Sequence, residues 1–133
     1  ARAVIDDTAG YYERHTRWRW SAGVGTAADG RSLAWNLVSG VNDPPVGSER
    51  TVWVDGEPEE PPPVAFDDGL TSIRFGDGRT LGFRPEAMRA RSENLLLIRS
   101  FYRQPFGTFV GEFPGGIGLT EGYGVMEAHD VFW

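Results

Sequence analysis

Residues 16–40 read TRWRWSAGVGTAADGRSLAWNLVSG, and the fold predicted from the sequence rests mainly on this segment. Trp18 and Trp20 share one face of its first half, and Trp35 lies in a similar alternation of apolar and polar residues in its second half. A period of two is typical of β-strands, because successive side chains point to opposite faces. The Asp29-Gly30 pair between the halves is a frequent hairpin turn. The stretch therefore predicts two antiparallel strands.

Strand-like segments separated by turn residues recur along the rest of the chain. They cover residues 49–55, 64–66, 70–75, 79–84, 94–102, 108–113 and 117 to about 129. We expect the acidic and proline-rich segment 57–63 to form an exposed turn, since proline cannot donate to a strand ladder. The pattern predicts an all-β, antiparallel, up-and-down barrel of about eight or nine strands. A β-sandwich would give nearly the same pattern.

Composition limits the chain to one domain and narrows its function. The 133 residues are 40% hydrophobic and 13% aromatic, so the 18 glycines and 9 prolines punctuate short strands in a chain that has a core. A net charge of −6 argues against nucleic acid as a partner. The chain contains no cysteine, signal-peptide pattern or membrane-length apolar run, so we expect a soluble, cytoplasmic protein without a membrane span.

The two ends of the chain predict a larger protein. The sequence begins without methionine and ends on the apolar residues Val131-Phe132-Trp133. We expect residues 1–133 to be a single barrel domain excised from a longer protein, with some apolar surface that normally faces a neighbouring domain.

Glu127 and His129 are the first candidate catalytic residues. They lie two positions apart and share a strand face, where a carboxylate could tune an imidazole for acid/base chemistry. The alternative is that both lie on a solvated face near a barrel rim. Glu49 is the third candidate, because alternation places it on the same face as Trp53. Its alternative role is a structural ion pair.

Aromatic residues are the candidate walls of a ligand pocket. Trp20, Trp35, Trp53 and Tyr102 could line a site for a hydrophobic small molecule, although ordinary core packing explains them as well. Asn36 interrupts a strong apolar strand, where it could bind water outside or satisfy an interior polar group. With two distant histidines and no phosphate-binding loop, the sequence predicts no metal site and no cofactor.

Five motifs resemble one known family. They are Trp18-x-Trp20-Ser21-x-Gly23, residues 35–40 (WNLVSG), residues 48–56 (SERTVWVDG), residues 103–111 (RQPFGxFxG) and residues 124–133 (GVMEAHDxxW), where x is any residue. Together they resemble the C-terminal half of the bacterial domain-of-unknown-function family 2804. The resemblance implies a lipocalin-like (calycin) barrel near the carotenoid hydratase and AttH-like group. It also implies an N-terminal sister domain as a partner, because family members are usually longer, and it transfers no catalytic assignment.

These observations leave three hypotheses about function. The first is a lipocalin-like domain that binds a hydrophobic small molecule. The second is an enzyme of hydratase, isomerase or cyclase type acting on an isoprenoid-like substrate, with Glu127 or Glu49 as the acid and His129 as its tuning partner. The third is a structural domain that packs on its sister barrel.

Overall fold

The protein is an antiparallel β-structure, as the alternation predicts. The structure is a computed structural model that describes residues 3, 5, 7, 13–95 and 98–132. Its nine strands are β1 (His15–Ala27), β2 (Ser32–Ser39), β3 (Thr51–Val54), β4 (Glu57–Glu59), β5 (Val64–Phe66), β6 (Ser72–Phe75), β7 (Thr80–Leu95), β8 (Ile98–Phe113) and β9 (Ile117–Phe132). No segment of the described chain forms a helix with the length and hydropathy that crossing a bilayer requires.

The strands form a single curled sheet in the order β4-β3-β2-β1-β9-β8-β7-β6-β5. Strands that follow one another in sequence are neighbours in the sheet, except β4 and β5, which form its two edges. β1 and β9 pair along their length from His15↔Phe132 to Ala27↔Leu119. The sheet curls far enough for β2 to contact β5. The result is a half-barrel, consistent with the up-and-down barrel that the sequence predicts.

The direction of the strands explains where the sheet stops. Because β1 and β9 are antiparallel and every other pairing is antiparallel too, β4 and β5 run in the same direction. The segment 60–63 between them therefore does not reverse direction as a hairpin turn does. Its three prolines have no N–H with which to join a ladder. The prediction of an exposed turn over residues 57–63 is wrong: Glu57–Glu59 pairs with β3, and Pro61 is buried.

The hydrophobic core fills the concave side of the half-barrel. Its largest fully buried apolar side chains are Trp35, Leu37, Leu70, Ile73, Phe75, Leu81, Phe109, Phe113 and Met126. Trp35 lies at the centre, with its ring 5.0 Å from Phe109 in an edge-on arrangement. Burial of each such side chain contributes about 1.5–3 kcal/mol. The interior is thus occupied by the protein's own side chains.

A glycine makes room for the central tryptophan. Gly23 pairs with Trp35, and a Cβ atom at Gly23 would lie 2.2 Å from Trp35 Cζ2. The indole therefore packs directly on the backbone of β1. A larger residue at position 23 would displace it from the core.

A buried arginine fixes the loops at one end of the half-barrel. Arg50 is 1% exposed. Its guanidinium donates to the carbonyl oxygens of Pro44 at 2.9 Å, Asp43 at 3.2 Å and Pro61 at 3.4 Å. Glu60 is its ion-pair partner at 3.8 Å. Arg50 thereby joins the loop before β3 to the proline segment after β4.

The strands differ greatly in length. β7, β8 and β9 have 16 residues each and β1 has 13, whereas β3 has 4. Sixteen extended residues span about 50 Å, so the long strands continue well beyond the core. They form a four-stranded extension in the order β1-β9-β8-β7. Its inner face continues the concave side, and its outer face is the opposite one.

Candidate ligand-binding site

The candidate site lies on the outer face of the extension. The register pairs Trp18 with His129, His129 with Tyr102, and Trp20 with Glu127. Directly paired residues point to the same face. The alternation of β1 and β9 places all five side chains opposite the core, because Ser21 and Met126, the neighbours of Trp20 and Glu127, face inward.

Glu127 is the polar centre of this face. It is 9% exposed. Its Oε1 accepts a hydrogen bond of 2.9 Å from Trp18 Nε1, and its Oε2 accepts one of 3.0 Å from Gln104 Nε2 and one of 3.3 Å from Tyr102 Oη. A buried carboxylate needs such donors to offset its lost hydration. The three bonds fix the position of the carboxylate.

His129 stands beside this carboxylate and is half-buried. Its Nε2 lies 2.9 Å from Ser100 Oγ, and its ring centroid lies 4.2 Å from that of Trp18 and 5.2 Å from that of Tyr102. Burial lowers the pKa of His129 below 6.5, and this effect exceeds that of the negative charge of Asp130, which acts in the opposite direction. The imidazole is therefore mainly neutral at neutral pH.

A second chain of hydrogen bonds runs along the same face toward β3. Trp20 Nε1 donates to Asn36 Oδ1 at 2.7 Å, and Asn36 Nδ2 donates to the main-chain carbonyl of Glu49 at 2.9 Å. Asn36 thus satisfies the indole of Trp20 on the outer face. Glu49 is exposed and enters this chain through its backbone. The structure brings Glu127 and His129 together, but these contacts do not bring the Glu49 carboxylate to them.

A groove opens over Glu127. Its volume is about 740 Å³. Its lining includes Trp20, Tyr102, Gln104, Phe106, Tyr123 and Glu127. Phe106 and Tyr123 are exposed on its walls, and Glu86 and Arg89 also line it. Small-molecule sites of proteins have similar volumes and similarly aromatic walls with a few polar groups.

The other predicted wall residues lie elsewhere. Trp35 is 2% exposed in the core, where its Nε1 donates to Ser21 Oγ at 3.1 Å. Trp53 is half-buried and pairs with Ala34, on the outer face but on β3. Trp133 of the closing motif lies outside the described residues. Of the predicted wall residues, the groove therefore contains Trp20 and Tyr102.

Several residues of the site were not predicted. Trp18 and Gln104 hold Glu127 although they are 109 and 23 residues away in sequence, and Ser100 contacts His129 from 29 residues away. The alternation signal places Trp18 on the same face as Trp20, which is the one clue to its role. Within the described part of the chain, no three acidic or histidine side chains are grouped to hold a metal ion.

Comparison with protein families identifies the chain. The model of the family described as domain of unknown function (DUF2804) matches residues 1–133, and the chain belongs to this family. No curated protein matches the chain. No solved structure matches it either.

Proposed function

We propose that this DUF2804 chain binds a hydrophobic small molecule in the outer-face groove, with the hydrogen-bond-donating end of the ligand directed at Glu127. The observation that carries the proposal is the carboxylate of Glu127, which lies buried in a groove of aromatic walls. The site is proposed on the outer face because core side chains fill the concave side of the half-barrel.

The walls supply the affinity for an apolar chain. Phe106 and Tyr123 are large aromatic side chains that remain exposed, and Trp20 and Tyr102 flank them in the groove. Covering apolar surface yields about 25 cal/mol per Å², so an alkyl or isoprenoid chain along these rings gains affinity from burial alone. Rigid aromatic side chains lose little conformational entropy when they bind a ligand.

The carboxylate supplies the specificity. Trp18, Tyr102 and Gln104 hold Glu127 in place before any ligand arrives, which reduces the cost of ordering the site on binding. The oxygens of Glu127 act as hydrogen-bond acceptors, so they favour a ligand end that donates a hydrogen bond, such as a hydroxyl group. The same oxygens disfavour a ligand end that can only accept hydrogen bonds.

Paired probes test this proposal. Tryptophan fluorescence is followed while the protein is titrated with decan-1-ol or with 1-methoxydecane, which has the same chain but no donor. We expect the alcohol to bind about tenfold more tightly, and Glu127→Gln to remove most of that preference. Glu112→Gln, an exposed change on β8 outside the groove lining, is the matched control. Equal binding of the two probes by the unchanged protein contradicts the proposal.

An enzyme of hydratase, isomerase or cyclase type is the second candidate. The favouring observation is that one residue, Trp18, contacts both Glu127 and His129. In such a reaction a carboxylic acid would protonate an alkene carbon of an isoprenoid-like substrate, and water would add to the resulting cation and release a proton. Incubation with geranylgeraniol in D₂O tests it: deuterium at carbon in the recovered isoprenoid supports catalysis. Unlabelled isoprenoid retained by the protein supports binding without catalysis. If the protein binds neither decan-1-ol nor geranylgeraniol, the remaining hypothesis is a structural domain that packs on a sister domain.

A further inference from the structure

The inner face of the extension carries a second pocket on the side of the sheet opposite Glu127. Its volume is about 480 Å³. Its lining includes Arg19, Ala90, Phe101, Arg103, Ala128 and Asp130, and we call it the inner-face pocket. It begins where the core ends, since Met126 is fully buried and Ala128 packs against the core cluster.

Two arginines frame the floor of this pocket. Ala128 pairs with Arg19 on one side and with Arg103 on the other. The two arginines therefore stand on the strands that flank β9, with Cα atoms about 10 Å apart, and point to the same face. The small side chain of Ala128 leaves the space between them open. This spacing allows both guanidinium groups to reach one anion above Ala128.

The carboxylates nearby leave these two charges unbalanced. Asp130, the acidic side chain in the lining, accepts from His15 at 2.7 Å and from Arg17 at 3.3 Å. Arg19 donates to the carbonyl of Trp18, and Arg103 donates to the carbonyl of Asp68. Within the described part of the chain, neither Arg19 nor Arg103 is paired with a carboxylate. Each guanidinium has five N–H donors, and the bonds described use one of them.

Apolar atoms make up most of the exposed surface of the pocket. Its lining is completed by Arg91, Ser92, Tyr102 and His129. Phe101 is 54% exposed, and the methyl groups of Ala90 and Ala128 lie on the same face. An inorganic anion would leave this surface in water. An amphiphile would cover it while its charged end met the arginines.

We propose that the inner-face pocket binds the carboxylate of a fatty-acid-like amphiphile between Arg19 and Arg103, with the alkyl chain lying on Phe101. A guanidinium binds a carboxylate through short, charge-assisted hydrogen bonds. The net charge of −6 does not oppose this, because the field at the pocket is set by the arginines in its lining. Tyr102 lines both this pocket and the Glu127 groove, whereas Arg19 and Arg103 line this pocket alone.

Isothermal titration of the protein with dodecanoate, kept below its micelle concentration, tests the proposal. We expect dodecanoate to bind, and Arg19→Gln and Arg103→Gln each to weaken it by about tenfold, with the double variant weaker still. Arg74→Gln, an exposed arginine on β6 outside the pocket, is the matched control. If Arg103→Gln fails to fold because it loses the contact to Asp68, the affinity of Arg19→Gln for dodecanoate tests the proposal.

Cross-measurement separates this proposal from the outer-face groove. Glu127→Gln is expected to leave dodecanoate binding unchanged, and Arg19→Gln to leave decan-1-ol binding unchanged. The proposal is overturned if dodecanoate fails to bind, if both arginine variants bind it as tightly as the unchanged protein, or if Glu127→Gln abolishes its binding. A further arm uses vesicles of phosphatidylglycerol: association with vesicles but not with monomeric dodecanoate overturns the small-molecule site in favour of a lipid surface.

Discussion

The indole of Trp18 donates a hydrogen bond of 2.9 Å to Oε1 of Glu127, and the two residues come from β1 and β9, which are far apart in sequence but adjacent in the sheet. The Cα partner of Trp18 is His129, so the indole reaches diagonally to the preceding outer-face residue of β9. The contact therefore depends on the register of the β1–β9 pair. It couples the pairing of the chain's two terminal strands to the geometry of the candidate site.

The Trp18 contact should be measurable as stability. Replacing Trp18 with phenylalanine keeps an aromatic ring but removes the donor, leaving the carboxylate with one hydrogen bond fewer. Hydrogen bonds to charged groups contribute about 1.5–3 kcal/mol and neutral ones about 0.5–1.5 kcal/mol. We expect Trp18→Phe to lower the free energy of unfolding by more than Trp20→Phe, whose donor serves the neutral amide of Asn36. Urea unfolding of the two variants compares them, and an equal or smaller loss for Trp18→Phe would contradict this assignment.

The glycine beneath Trp35 should tolerate no side chain. A Cβ atom at Gly23 would lie 2.2 Å from the indole, whereas one at Gly82 would meet its nearest atom, the carbonyl oxygen of Val110, at 3.7 Å. We expect Gly23→Ala to cost about 1–3 kcal/mol through overpacking of the core. Gly82→Ala should change stability by less than about 1 kcal/mol in either direction. Thermal unfolding checks both, and similar values for the two would show that Trp35 does not pack as described.

Arg50 should be important for stability although it does not line the groove. Arg50→Met keeps much of the side-chain volume but leaves the carbonyl groups of Pro44 and Pro61 without their buried donor. Breaking such a buried charged network costs about 3–5 kcal/mol. We expect a large loss in chemical unfolding, against little change for Arg84→Met on the exposed surface of β7. A small loss at Arg50 would mean that the loops hold their positions without it.

His129 should make the stability of the folded protein depend on pH. Burial lowers its pKa in the folded protein below 6.5, so the unfolded chain binds more protons in the range between the two values. The stability that depends on neutral His129 is complete above pH 6.5 and is lost as the pH falls toward the folded-state pKa. We expect the destabilisation caused by His129→Gln to be smaller at pH 5.5 than at pH 7.5.

An NMR titration measures the same property directly. The ring protons of His129 should titrate below pH 6.5, and His15→Gln removes the other histidine signal for assignment. A midpoint above 6.5 would mean that attraction to Asp130 outweighs burial.

Much of the fold could be predicted from the sequence, because alternation is a local signal. That Trp18 and Trp20 share a face follows from their spacing alone, and the Asp29-Gly30 turn follows from its composition. The direction of the chain at residues 61–63 could not be predicted from local alternation. Whether β4 and β5 run in the same direction depends on the antiparallel pairing of β1 with β9, which joins residues far apart in sequence.

The site was less predictable than the fold. Alternation grouped Glu127 with His129, but it does not say which face of a strand is covered by the core. Trp20 and Trp35 are both candidate wall residues in the sequence, but the register of β1 and β2 places them on opposite faces of the sheet. The donors Trp18 and Gln104 come from other strands, and their approach to Glu127 depends on register that no local pattern encodes.

A crystal structure of the protein soaked with decan-1-ol would show directly whether the outer-face groove binds the alcohol through Glu127. We predict that the alkyl chain lies along Phe106 and Tyr123 and that the hydroxyl oxygen lies within hydrogen-bond distance of Glu127. Decanol bound elsewhere, or an empty groove at a saturating concentration, would contradict the account.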